Sequence, residues 1–342
     1  VEVFAKRPSD GKELSQDAIK SIFSLLLHRV GFPDDLYSHM YIDQMTKKTS
    51  KVKSLDILRE EIDSIDEKIH ALLMRRAGIA SDVKDVKKAS LGQKNFIRPA
   101  REAQILRKLL EKHDGNFPNT LIVRIWREII SATLSLESDF TVAVISPDDL
   151  KSSLAYELLA RSYFGMDTPI RSVGTESGVL RSVRDGKSSV GVVPVPHDDR
   201  FSDSENPWWT ILASGGLDRP MIISRLPWCI NPQDTNNGLE GLSVACVKPE
   251  ETGNDMTYIA LSLVKPISRG KIKEALLSSG LVMEGVAVAN PREKNGDSRW
   301  QLFEVNGYIT ETDPRLEKFS AIIGEALGLL SILGSYARPI RL

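Results

Sequence analysis

One long helical pattern constrains this 342-residue chain more than any other feature. From Leu55 to about Lys88 the sequence has no proline and a single glycine, Gly78, and apolar side chains recur three or four residues apart. At 1.5 Å per residue, such a helix is roughly 50 Å long, which is too long for a compact single domain. We therefore predict that this helix packs against another subunit.

Two shorter helices follow, and each has a proline near its start. Pro99 opens the second helix, which runs to about Gly115, and Pro118 opens the third, which runs to Glu137. Apolar residues repeat at helical spacing in both. The three helices are therefore predicted to form an all-α unit.

Charged residues are set into these helices among leucine, isoleucine, valine and alanine. Basic groups on an inward face are costly unless something negative meets them. Since the sequence contains no metal-ligand pattern here, the set predicts a pocket for a small dianion. The residues are Arg59, Arg76, Lys87, Arg101, Glu102 and Glu137.

Helical geometry divides this set between two chains. Arg76 and Lys87 are 11 residues apart, about three turns, so they share a face. Arg59 precedes Arg76 by 17 residues, which is roughly 25 Å along the axis and about 100° off that face. One small ligand cannot touch both within one chain. If both serve one site, Arg59 comes from the partner of a two-fold dimer.

The segment from Leu55 to Ser138 resembles the all-α chorismate mutases, which occur as separate enzymes and as the front part of bifunctional mutase–dehydratases. The opening LDILREEIDSIDEKIHALLMRR and the later PAREAQIL carry the resemblance. It implies an intertwined homodimer in which each site is completed by an arginine of the partner. It also implies the rearrangement of chorismate to prephenate in aromatic amino acid biosynthesis, without a cofactor or a metal.

The resemblance gives each polar residue a role. Arg59 from the partner and Arg76 in the chain would bind the two substrate carboxylates, for which guanidinium forks are suited. Lys87 would donate to the ether oxygen of the breaking bond. Glu102 would accept from the ring hydroxyl, and Arg101 matches the arginine just before it.

Two positions depart from the family pattern, and a third is a conservative change. Arg98 stands where many members have Asp, and Glu137 stands where many have Gln beside the ether oxygen. Thr133, four residues before Glu137 and on the same face, replaces a Ser. A carboxylate donates to the ether oxygen only when protonated, so we predict a mutase that works better at mildly acidic pH. Lys87, Glu137 and Arg76 are the expected catalytic residues.

Beyond Ser138 the pattern changes to α/β. The predicted elements are strands at 140–145 and 190–195 and helices at 152–163 and 179–183. The segments VRDGKSSVGVVPVP and Ser152–Ala155 resemble part of a prephenate dehydratase domain. Leu242-Ser243-Val244 replaces the Thr-Arg-Phe that carries the elimination in that family, so we expect a degenerate domain without dehydratase activity.

The last part alternates between strands and helices in a βαββα-like order. The predicted elements are strands at 258–264, 282–288 and 300–305 and helices at 268–279 and 316–330. LFEVNGYITETDPRL and LLSILGSYARPI resemble ligand-binding ACT domains. Ala287–Pro291 replaces the family's Glu-Ser-Arg-Pro motif, and only Gly270 is kept from the other ligand loop. A phenylalanine effector and a structural cap on the dimer therefore both stay open.

The predicted fold is multi-domain: an all-α mutase domain followed by α/β and α+β domains. The segments are an N-terminal extension of unknown role (1–50), the mutase domain (51–138), the dehydratase-like domain (139–252) and the ACT-like domain (253–342). A net charge of −1 and a pI near 6.6 give no electrostatic reason to expect nucleic acid or membrane binding. No membrane span or signal peptide is recognised, so a cytoplasmic location is expected.

Three functions stay in play. The first is a chorismate mutase, the second a bifunctional mutase–dehydratase, and the third a non-catalytic amino-acid sensor with a mutase-like fold. The set Arg59, Arg76, Lys87 and Glu102 favours the first, because such a set is costly to keep without a ligand. The missing Thr-Arg-Phe disfavours the second.

Overall fold

The computed structural model describes residues 54–91, 97–196, 207–216, 218–230, 238–289 and 299–342. The chain divides into two compact units, residues 1–73 and 74–342. Of the first unit, the described part is 54–73, which is helical from Leu55 onward. The predicted N-terminal extension, 1–50, lies outside the described residues.

The three predicted helices are present. They are α1 (Leu55–Leu91), α2 (Pro99–Lys112) and α3 (Asn119–Glu137). The Ser54 hydroxyl accepts a hydrogen bond from the Ile57 backbone N–H at 3.4 Å, which satisfies one free donor at the start of α1. Among the described helices, none combines the length and the apolar character needed to cross a bilayer.

Helices α2 and α3 pack on an α/β body rather than standing apart from it. Their inward residues Leu106, Ile130 and Leu134 belong to one hydrophobic core with Val142 and Val192 of the sheet. This core forms because the apolar stripes of both helices face the same side. The helical and α/β parts of the second unit therefore share one packed interior.

Within the described residues, the body contains a nine-stranded sheet in the order β2-β1-β3-β6-β4-β10-β7-β9-β8. Its first strands, β1, β2 and β3, are parallel and alternate with the helices α4 and α5, as the α/β pattern predicted. The bounds are β1 (Val142–Ile145), α4 (Leu150–Phe164), β2 (Ile170–Val173), α5 (Glu176–Arg184) and β3 (Val190–Pro194). The next elements are α6 (Trp208–Ala213), β4 (Met221–Leu226), β5 (Cys229–Ile230) and β6 (Gly241–Ala245). The sequence reading did not predict β2, α6, β4, β5 or β6.

The C-terminal part has the order βαββαβ, with antiparallel strands arranged β10-β7-β9-β8. Its elements are β7 (Asp255–Leu263), α7 (Arg269–Ser278), β8 (Met283–Ala289), β9 (Arg299–Asn306), α8 (Pro314–Ile323) and β10 (Leu327–Ala337). A short strand β11 (Ile340–Arg341) then pairs with β5 in a separate two-stranded sheet. The predicted βαββα order is thus present, with a sixth element after it.

The predicted helix 316–330 was wrong at its end. Helix α8 ends at Ile323, because Gly324 adopts a positive φ of +61° that does not continue a helix. Residues 327–330 instead begin β10, which pairs with β7 along the whole of that strand.

Strand β10 joins the C-terminal part to the rest of the sheet. Gly334 pairs with Ile222 of β4, and a Cβ at Gly334 would collide with the backbone of Ile222. Its φ of +140° also favours glycine. Beside this seam, Arg225 of β4 forms an ion pair with Glu304 of β9 at 2.9 Å. Backbone pairing and a partly buried ion pair therefore both connect the two parts.

Candidate active site

The structure brings together three of the predicted site residues. Arg76 of α1 donates hydrogen bonds from Nη1 to Thr133 Oγ1 and, at 3.4 Å, to the Ile129 carbonyl oxygen of α3. Burial lowers the pKa of the half-buried Arg76, and the nearby Glu137 carboxylate acts in the opposite direction. We call Arg76, Thr133 and Glu137 the α1–α3 group. It places a guanidinium, a hydroxyl and a buried carboxylate on facing helices.

A lysine of α1 also holds the end of α3. Lys84 donates from Nζ to the Leu136 carbonyl oxygen at 2.5 Å. A cation is favoured at this position because the last carbonyl groups of a helix lack partners within it and carry partial negative charge. The bond fixes the turn of α3 that carries Glu137.

Two other predicted residues are not placed at this group by the described structure. Lys87 lies on α1, 11 residues after Arg76, but its side chain lies outside the described part. Arg59 belongs to the first unit, where its side chain is 73% exposed and pairs with Asp56 at 3.4 Å. Their roles toward a substrate stay predictions.

Glu102 lies in a different setting. It is buried on α2 and accepts a hydrogen bond from Arg127 Nη1 of α3 at 2.8 Å. Burial raises the pKa of Glu102, and the charge and hydrogen bond of Arg127 act against that rise. Arg101, its neighbour, is exposed. Glu102 is therefore buried while its neighbour Arg101 is exposed to solvent. The cationic partner of Glu102 is Arg127, which the sequence did not lead us to predict.

Arg127 has contacts on a second side. Its guanidinium carbon lies 3.7 Å from the centre of the Tyr163 ring and 5.6 Å from that of Trp228. We call Glu102, Arg127, Tyr163 and Trp228 the sealed group. A sequence signal for it existed, since Arg127 falls on the apolar stripe of α3 that includes Val123, Ile130 and Leu134. A basic residue in a buried stripe indicates a specific partner.

The two departures from the family pattern have different environments. Arg98, in place of Asp, precedes α2 and pairs with Glu250 at 2.8 Å, so it links α2 to the segment after β6. Glu137, in place of Gln, is buried beside Arg76. The effect of Glu137 on the pH profile stays a prediction.

The segment aligned with the dehydratase motif lies inside β6. Leu242, Ser243 and Val244 are fully buried, and the Ser243 hydroxyl bonds to that of Ser224 on the neighbouring strand. These three side chains therefore pack in the protein interior, on the two faces of the sheet. The side chains of the ACT-like ligand segment, Ala287–Pro291, lie outside the described part of the chain, so a phenylalanine effector stays a prediction.

Comparison with known proteins identifies the class of the helical part. The family model for chorismate mutase type II matches residues 58–138. This range includes both ends of the predicted site, Arg59 and Glu137. The resemblance drawn from the sequence is confirmed for this part of the chain.

Curated relatives extend the likeness beyond one family model. The bifunctional chorismate mutase/prephenate dehydratase of Pseudomonas aeruginosa is 37% identical over 147 residues, which are 41% of this chain and 38% of the relative. The protein of the same name from Aquifex aeolicus is 38% identical over 149 residues, which are 42% of this chain and 39% of the relative. The chain thus spans about two fifths of the length of the curated relatives it matches.

Solved structures give a weaker likeness. Prephenate dehydratase from Streptococcus mutans matches with a TM-score of 0.43 and 14% identity, covering 59% of this chain and 100% of that one. A likeness this low carries no conclusion about activity.

Proposed function

We propose that this protein is a chorismate mutase that converts chorismate to prephenate. The observation that carries the proposal is the α1–α3 group inside the range matched by the mutase family model. Burial lowers the pKa of the half-buried Arg76 guanidinium, the Glu137 carboxylate offsets part of that cost, and a substrate carboxylate would offset more of it. The bifunctional names of the relatives support the same reaction.

The reaction requires the protein to position the substrate and to stabilise developing charge. The reaction is intramolecular, so the site must hold the folded diaxial conformer and stabilise the charge that develops on the ether oxygen. Arg76, oriented by its bond to Thr133, would bind one carboxylate bidentately. Glu137 and Lys87 would act at the ether oxygen, and Glu102 at the ring hydroxyl.

We also propose that the active form is a homodimer. Helix α1 exposes apolar side chains at helical spacing in both units, with exposed fractions between 39% and 66%. They are Leu58, Ile62, Ile65, Ile69, Leu72, Ile79, Val83 and Val86. An exposed apolar face of this kind is unfavourable in water in either unit, and a second copy of α1 would cover it. The same contact would deliver Arg59 to the partner's site.

Substituting the apolar face tests the dimer. Ile69→Asp would place a charge in the proposed interface, whereas Lys68→Asp changes an exposed polar neighbour on the same turn. Sedimentation of both variants should give a monomer for the first and a dimer for the second. Two dimers, or a monomeric parent protein, would contradict the proposal.

An activity measurement tests the reaction. Loss of chorismate absorbance is followed with the full chain, and phenylpyruvate is measured before and after a sample is acidified, because acid converts prephenate to phenylpyruvate. Chorismate loss with phenylpyruvate only after acid supports a mutase. No chorismate loss between pH 5 and 8 would favour the amino-acid sensor.

The same measurement addresses the second candidate, a bifunctional mutase–dehydratase. The names of the relatives favour this function. The buried Leu242-Ser243-Val244 segment disfavours it, because the position where the family carries a reactive Thr and Arg is inside a strand. Phenylpyruvate that forms before the sample is acidified would support the bifunctional enzyme.

A further inference from the structure

Arg127 is the only fully buried basic side chain among the described residues, at 3% exposure. Its one ion pair in this part of the chain is with Glu102. Its Nη2 atom is buried and has no hydrogen-bond partner among the described residues. The guanidinium is therefore held by one carboxylate and by the faces of two aromatic rings.

The three partners of Arg127 belong to different parts of the molecule. Glu102 comes from α2, Tyr163 from α4 and Trp228 from the segment between β4 and β5. Tyr163 and Trp228 are themselves buried in the core shared by the helices and the sheet. Because these rings are fixed, they set the plane of the guanidinium, and the guanidinium sets the carboxylate of Glu102.

Docking of the helices on the body does not require this buried pair. Arg107 of α2 already donates to Thr252 Oγ1 and to the Asn254 carbonyl oxygen, both at 2.8 Å. A buried ion pair is often no more stabilising than well-packed apolar residues of the same volume. The sealed group therefore calls for a role other than attachment.

We infer that Arg127 is a positioning residue that holds the Glu102 carboxylate for the ring hydroxyl of chorismate, and that Tyr163 and Trp228 make the α/β body part of the mutase site. This inference rests on the proposed function. The carboxylate accepts from Arg127 Nη1 and from the Arg98 backbone N–H. A carboxylate has about four lone-pair sites, so capacity for a substrate hydroxyl remains.

The charges around Glu102 predict a specific pH effect. Arg127 faces it from α3 and Tyr163 from α4, and burial raises the pKa of Tyr163, so this phenol stays neutral near pH 7. Burial raises the pKa of Glu102, and Arg127 opposes that rise. Without Arg127, the carboxylate becomes protonated at a higher pH. The acid limb of the pH profile of mutase activity should then move to higher pH.

The experiment measures kcat and KM of the full chain for chorismate between pH 5 and 9, with matched variants. For Arg127→Met we expect kcat/KM to fall by about 10²-fold, mostly in kcat, because a misplaced group costs this much. Its acid limb should move up by about one unit or more. Arg107→Met, which loses docking bonds without touching Glu102, should keep the limbs of the parent protein.

Folding of each variant is checked by circular dichroism and thermal unfolding. A folded Arg127→Met with the kcat and acid limb of the parent would overturn the inference. If that variant does not fold, Arg127→Lys decides, because it keeps the charge and loses the fork. We expect a several-fold lower kcat with an unchanged acid limb, and a parental kcat would overturn the inference. A parent protein inactive on chorismate would instead overturn the proposed function.

Discussion

The two polar groups on α3 use the same chemistry in opposite environments. In the α1–α3 group, Arg76 is half-buried and bonds to a hydroxyl and a carbonyl oxygen. In the sealed group, Arg127 is closed in by a carboxylate and two aromatic rings. Arg76, which is proposed to bind a substrate carboxylate, has to keep donors accessible, whereas Arg127, which is inferred to orient the Glu102 carboxylate, gains from exclusion of water. Under the proposed function, α3 therefore takes part in substrate binding on one side and in positioning on another.

The largest expected effect tests the sealed group through stability. Arg127→Met leaves the Glu102 carboxylate buried without its partner, which should reduce the free energy of unfolding by about 3–5 kcal/mol. The loss should be smaller at pH 5 than at pH 8, because protonation of Glu102 removes the unpaired charge. Denaturant unfolding at both pH values measures it.

A double variant sharpens this result. Combining Arg127→Met with Glu102→Leu removes both charges, so most of the lost stability should return. An equal or larger loss in the double variant would show that the ion pair is not the source of the effect. The sealed group would then no longer differ from the α1–α3 group through its buried ion pair.

The next largest effect is expected at the α1–α3 group. Arg76→Met removes the proposed carboxylate ligand, so kcat/KM for chorismate should fall by about 10²–10³-fold. Arg75, the adjacent and exposed arginine, provides the matched control. Arg75→Met should stay within about twofold of the parent, since an exposed helical arginine contributes little. Equal losses in both variants would contradict a specific role for Arg76.

A smaller effect is expected at the buried carboxylate of the same group. Glu137→Gln supplies an amide donor at every pH, whereas Glu137 donates only when protonated. The variant should therefore lose the fall in kcat/KM on the alkaline side, with about a tenfold gain over the parent at pH 8. A flat profile in the parent protein would argue against this role for Glu137.

The smallest effect belongs to an exposed pair that serves as a reference. Arg98 and Glu250 are both substantially exposed, with side-chain exposures of 53% and 47%. Arg98→Met should change the free energy of unfolding by no more than about 1 kcal/mol. A loss as large as that of Arg127→Met would remove the distinction between sealed and exposed arginines. Thermal unfolding in low and high salt makes the comparison.

The helices were predictable because their signals are local. Proline at 99 and the regular apolar spacing of α1 and α3 fix element type without knowledge of the rest of the chain. The βαββα order of the C-terminal part was predictable for the same reason. Arg76, Thr133 and Glu137 lie close together in the structure. The i, i+4 spacing connected Thr133 with Glu137, and the family pattern added Arg76. Their roles toward a substrate stay predictions.

What the sequence did not reveal depends on distant partners. Leu327–Leu330 reads equally well as the end of a helix or the start of a strand, and pairing with β7, more than 60 residues earlier, decides it. The role of Arg127 depends on Glu102, Tyr163 and Trp228, which come from three other parts of the chain. The sequence pattern of one helix does not show which side chains from other parts of the chain pack against it.

The position of β10 has a consequence for how the protein is made. The strands β4 and β7 are both neighbours of β10, yet they precede it by many residues in the chain. During synthesis both therefore carry an unpaired edge until residues 327–337 have left the ribosome. Open edges of this kind invite pairing with other chains. The nascent protein should depend on chaperones at this late stage, and β10 would complete the sheet by insertion rather than by addition at a border.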